Sequence, residues 1–135
     1  MPTGRWSLGL AATSDGKIFA IGGSRDGCPC QLSVVEMYDI ASDSWTTKAS
    51  MPTARTGVGA VTGINGKIYA MGGQFQSNPE FATVEVYEFS TNTWATGVSM
   101  PTARSGMGVV TAADGKIYAI GGAVGPNINV AEVLQ

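Results

Sequence analysis

Residues 51–73, MPTARTGVGAVTGINGKIYAMGG, decide the fold. They contain a proline-led opening that reaches an arginine, and then small residues interleaved with valine. An Asn65-Gly66 pair, a β-branched and aromatic run and a double glycine follow. The same series begins at Met1 and again at Met100. Met-Pro-Thr stands at Met1, Met51 and Met100, and the double glycines are Gly22-Gly23, Gly72-Gly73 and Gly121-Gly122. Both sets step by 50 and then by 49 residues. Glu36-Met37-Tyr38, Glu85-Val86-Tyr87 and Glu132-Val133-Leu134 keep the same period, and Trp45 and Trp94 close the first two units. Agreement at several anchors at once marks a tandem array of one structural unit. The units are 1–50, 51–99 and an incomplete 100–135, forming one region.

Each unit reads as short strands joined in a meander. The first strand covers 7–13, 57–62 and 106–111, and the dipeptides Asp15-Gly16, Asn65-Gly66 and Asp114-Gly115 follow it. Those dipeptides predict a two-residue hairpin turn, because both positions tolerate positive φ. The second strand, at 17–21, 67–71 and 116–120, is rich in β-branched and aromatic residues and stops at the double glycine. A loop of variable sequence leads to the third strand at 34–39, 83–88 and 130–134. A polar turn then delivers the tryptophan of the fourth strand. No window carries a helical period, so the fold class is all-β.

These anchors resemble the kelch repeat over essentially the whole chain: Pro-x-x-Arg, a hairpin ending in Gly-Gly, Glu-x-Tyr, and a tryptophan beyond it. The third unit departs from the pattern, with Leu134 in place of tyrosine and no fourth strand. The resemblance implies a β-propeller in which each repeat forms one four-stranded antiparallel blade. Crowding where blades converge then explains the small residues Gly57, Gly59, Ala60, Gly106 and Gly108 on the first strand. Tyr38, Tyr87, Trp45 and Trp94 fall on outer strands, where the gaps between blades widen, and read as inter-blade packing.

Closed propellers typically have about four to eight blades. This chain supplies two blades and part of a third, so its end faces would expose apolar surface. The expectation is a homodimer that forms a six-bladed ring, since twofold dimers are the commonest oligomers. Met1 coincides with the repeat's own methionine and Gln135 stops within a blade, so the ends also read as cuts in a longer array.

Composition narrows the partners. A chain of 135 residues with a net charge of −2 presents no basic field for a phosphate backbone, so nucleic acid is not expected. No apolar stretch reaches the roughly 18 residues of a membrane span, and no signal-peptide pattern opens the chain; the compartment stays open. With no histidine in the sequence, the usual base and the usual imidazole metal ligand are both missing. That excludes, within this chain, the copper site of the galactose-oxidase-like propellers. No metal or cofactor is expected. Cys28 and Cys30, two apart, read as loop residues, because such a pair rarely closes a disulfide without strain. Asp26, Asp39 and Asp43 read as turn residues, and no carboxylate pair suggests acid and base.

Two sets of residues remain as ligand candidates. Arg5, Arg55 and Arg104 recur near the start of each first strand, where a ring of guanidiniums could hold carboxylates. Their structural alternative is pairing with the equally periodic Glu36, Glu85 and Glu132. The loops between Gly-Gly and that glutamate share almost no sequence, and Arg25 and Phe75 are the expected exposed contacts on them. The expected function is a scaffold or binding module that meets protein partners through these loops, with no catalytic residues. The alternative is a sugar-active relative of the acidic-sugar epimerase or mutarotase type.

Overall fold

The structure is a computed structural model that describes residues 1–27, 30–76, 79–124 and 131–134. Cys28, Ser77, Asn78, Val130 and most of the third variable loop (125–129) lie outside the described residues. In the first unit β1 (Gly9–Ala12) and β2 (Lys17–Ile21) are followed by a small hairpin, β3 (Ser24–Arg25) and β4 (Cys30–Gln31). Then come β5 (Val35–Asp39) and β6 (Ser44–Lys48). The second unit is β7 (Gly59–Thr62), β8 (Ile68–Met71), β9 (Val84–Glu88) and β10 (Thr93–Thr96). The third is β11 (Gly108–Thr111), β12 (Ile117–Ile120) and β13 (Ala131–Leu134). Sheet orders β1-β2-β5-β6, β7-β8-β9-β10 and β11-β12-β13 are antiparallel meanders. They are two four-stranded blades and one three-stranded blade of a partial propeller.

The turn after the first strand differs from the expected two-residue type. Gly16 N donates to Thr13 O and Thr13 N to Lys17 O, and positive φ occurs at Gly16 but not at Asp15. Gly66 and Gly115 repeat this geometry. It is the three-residue hairpin, a tight turn followed by a left-handed glycine, in which the aspartate or asparagine keeps an ordinary φ. The β3–β4 hairpin was also not foreseen, because strands of two residues leave no periodic signal.

Blades stack face to face, the back of one against the front of the next. Phe19, Ile21 and Met37 on the back of the first blade meet Ala60, Ile68 and Tyr87 on the front of the second, all in one buried cluster. Met71 and Val84 meet Ile117, Ala119 and Leu134 in the same way across the second and third blades. Phe19 lies 5.7 Å, centroid to centroid, from both Tyr87 and Phe89. Backbone hydrogen bonds join the blades at their inner edge: Gly57 N donates to Ser7 O at 2.9 Å, and Gly106 N to Gly57 O at 2.8 Å. Such approach needs glycine. A Cβ on Gly59 would stand 2.8 Å from Val109 Cγ1, and one on Gly22 would stand 2.7 Å from Arg55 O.

Phe19 is fully buried between two blades, so Phe19→Ala should lower unfolding free energy by about 3–5 kcal/mol. Urea denaturation followed by circular dichroism reads this directly.

Candidate functional site

Local sequence places the three repeated arginines just ahead of the first strand, where Met-Pro-Thr-x-Arg crosses from one blade to the next. The crossing segment is pinned to the end of the preceding variable loop: Met51 N donates to Ser33 O and Arg55 N to Leu32 O. Met100 and Arg104 repeat this on Ala82 and Phe81. The double glycine, with positive φ at Gly22, Gly23, Gly72, Gly73, Gly121 and Gly122, bends the chain so that it can receive the next arginine. Gly23 N donates to Arg55 O at 2.9 Å and Gly73 N to Arg104 O at 2.8 Å.

The side chains of Arg5, Arg55 and Arg104 turn inward and have no exposed area. Arg55 donates to Gly72 O, Thr83 O and Ala70 O, to Glu85 Oε2 at 2.8 Å, and through Nε to Met51 Sδ. Those bonds use all five guanidinium donors. Arg5 pairs with Glu36 at 3.0 Å and Arg104 with Glu132 at 2.7 Å. Burial pushes the Arg55 pKa below its ordinary value, opposed by the charge and hydrogen bond of Glu85. It remains a cation, because arginine starts so far above neutrality. The geometry is the structural alternative: each arginine is a closed anchor with no face turned to a ligand.

One participant escaped sequence reasoning. The threonine of Met-Pro-Thr holds the same glutamate: Thr3 Oγ1 donates to Glu36 at 2.7 Å and Thr53 Oγ1 to Glu85 at 2.6 Å, and Thr102 N reaches Glu132. Its constant spacing to arginine and glutamate was the available signal.

The aromatics also behave as packing. Tyr38 and Trp45 stack at 5.2 Å, Tyr87 and Trp94 at 5.1 Å, and Trp94 Nε1 donates to Ala49 O of the preceding blade. Tyr38 OH donates to Asp43 and Tyr87 OH to Asn92, each partner being a left-handed turn residue.

The variable loops share the face of the crossing segments. Arg25 is exposed at the tip of the β3–β4 hairpin, beside Asp26 and Gly27. Phe75, expected to be exposed, is half-buried, whereas the exposed neighbour is Gln76, in a left-handed turn. Cys30 opens β4 and is disulfide-bonded, against the sequence expectation of a loop thiol. On the opposite face a cleft of ≈ 340 Å³ lies between two hairpin turns, lined by Ile64, Asn65, Tyr69, Asp114, Lys116 and Ile117. Its polar groups bond to one another: Asn65 to Tyr69 OH, and Lys116 N to Asp114. Among the described residues no three His, Cys, Asp or Glu side chains are grouped to hold a metal ion.

The sequence model of the kelch motif matches residues 5–52 and 54–101. The chain belongs to the kelch-repeat family. Kelch blades serve generally as protein-binding modules, and here the matched residues include the buried Arg55–Glu85 anchor and both complete blades. No curated protein matches the chain.

Arg55→Ala would leave Glu85 buried without its counter-charge, so a loss of about 3–5 kcal/mol is expected in denaturant unfolding. Arg55→Met combined with Glu85→Leu should recover much of it. Surface carboxylates set the pH response. The Ser90 hydroxyl holds Glu88, and the Lys116 amide and Tyr118 hydroxyl hold Asp114, below the usual carboxylate range. Depressed folded-state values add stability above the unfolded pKa that is lost as pH falls through the folded one. The melting temperature should therefore hold from pH 7 to about 5 and drop below about 4.

Proposed function

We propose that this kelch-repeat chain is a scaffold that binds a protein partner through the loops between the second and third strands of its blades. The observation that carries this reading is a division of labour. The periodic residues are consumed internally, with the Arg55 guanidinium sealed in its own blade. The residues that break the period, led by Arg25 and Gln76, reach the surface on one face. Loops that differ on a constant framework are where specificity can be added without disturbing the fold. Arg25 brings a planar cation with five donors, suited to carboxylates on a partner.

The acidic-sugar alternative depends on arginines open to a sugar carboxylate. Arg5, Arg55 and Arg104 have no exposed side-chain area and are already paired, so they offer such a ligand nothing.

A photo-crosslinking residue at Arg25 or Gln76 should give discrete protein adducts in cells expressing the chain. The same residue at Asp15 or Asn65, in turns on the opposite face, should not. Equal labelling from both faces would overturn the loop reading. Calorimetric titration with N-acetylneuraminic acid is expected to show no heat of binding, and saturable binding would restore the sugar alternative.

A further inference from the structure

We infer that the back of the third blade and the front of the first are the two halves of one interface, and that a second copy of this chain joins them. Inside the chain that interface occurs twice, and its working parts can be read off both examples. On the inner strand an apolar side chain of the later blade covers a glycine of the earlier one. Ala60 lies over Gly9, where a Cβ would come within 2.7 Å of Ala60 Cβ, and Val109 lies over Gly59 at 2.8 Å. At the crossing segment Met51 and Met100 fill the space beside Gly22 and Gly72 and are only 2 and 3% exposed. Backbone bonds run beside these contacts, from Gly23 N to Arg55 O and from Gly73 N to Arg104 O.

Each knob and each hole recurs at the ends of the arc without its counterpart. Leu10 is the repeat equivalent of Ala60 and Val109 and is 60% exposed; Met1 is the equivalent of Met51 and Met100 and is 44% exposed. The matching holes are Gly108, whose nearest neighbour to an added Cβ is Ile120 O at 3.9 Å, and Gly121, which has nothing within 4 Å among the described residues. Ile120 is 53% exposed although its equivalents Ile21 and Met71 are fully buried. Trp6, exposed on the front, stands where Ser105 lies beside Gly57, and so faces the open space at Gly106 of the neighbouring copy. Among the described residues the amide of Gly122 and the carbonyl of Arg5 lack this bond, and they are the same pair of groups that bond within the chain.

This complementarity selects a second copy as the occupant. A partner for the front face needs glycine holes at the spacing of Met1 and Leu10, and the chain's own back face has them. Two copies of the three described blades give six, inside the range of roughly four to eight for closed rings, and three copies give nine. Back meets front at both seams, as a twofold axis along the ring requires, and neither face is left to propagate a filament.

Sedimentation equilibrium on the full chain tests the inference. A particle of twice the 13.9 kDa chain mass is expected at micromolar concentration. Gly108→Val, which fills the hole at a position without left-handed φ, and Leu10→Asp, which removes the knob, should each give a folded monomer by circular dichroism. Mixing the two variants should give a dimer joined through one native seam, because the Leu10→Asp chain keeps Gly108 and the Gly108→Val chain keeps Leu10, while the other seam carries both changes. A wild-type monomer would overturn the inference and leave the faces to another partner. A Gly108→Val dimer would overturn the pairing of back with front, and particles larger than a dimer would overturn ring closure.

Discussion

The guanidinium of Arg55 has no contact with solvent, so its charge and all its donors must be met by the protein. That demand organises the blade. Three of its acceptors are the carbonyls of Ala70, Gly72 and Thr83, at and just beyond the facing ends of β8 and β9, and the other two are Glu85 on β9 and the sulfur of Met51. The anchor therefore ties the segment arriving from the previous blade to two strands of its own blade. Thr53 holds the carboxylate from the other side, so the ion pair is oriented as well as neutralised. A buried pair of this kind contributes little net stability over an apolar substitute, but removing one member is costly. Its value lies in fixing where the crossing segment must lie.

From that fixed crossing the rest follows in order. With Arg55 held, its carbonyl is presented to Gly23, and the double glycine supplies both the bend and the room for the approach. With that seam closed, the back face of one blade and the front of the next can exclude water over Phe19, Ile68 and Tyr87. Apolar burial is the larger energy, yet it is non-directional; the anchor and the glycine seam give it direction. The function proposed for the loops rests on the same footing, since the crossing segments brace their returning ends through Leu32 and Phe81.

Most of this framework was legible in the sequence because three copies of one solution repeat themselves. Period, meander order, strand positions and the packing role of Tyr87 and Trp94 could all be read from recurring anchors. Strand ends were shorter than read at β1 and β7, where the chain bends to make the inner-edge bonds of Ser7 and Gly57. What could not be read is what occurs once. The β3–β4 hairpin has no second example among the described residues, and the half-burial of Phe75 belongs to a loop whose sequence is its own. The arginines were ambiguous for a different reason: periodicity fits a ring of ligand-binding cations and a set of internal anchors equally well. Only burial distinguishes the two.

The first and second blades are joined at two distances from the axis. Near the axis the bond is Gly57 N to Ser7 O, and at the rim Trp94 Nε1 and Asn92 Oδ1 clasp the carbonyl and amide of Ala49. One joint would act as a pivot and let the blades fan open or shut. Two joints at different radii remove that freedom and set the wedge angle between neighbours. The angle is governed by how close the backbones of Ser7 and Gly57 approach at the centre and how far an indole reaches at the edge. Curvature, and with it the number of blades in a full turn, is thus a local property of a single seam.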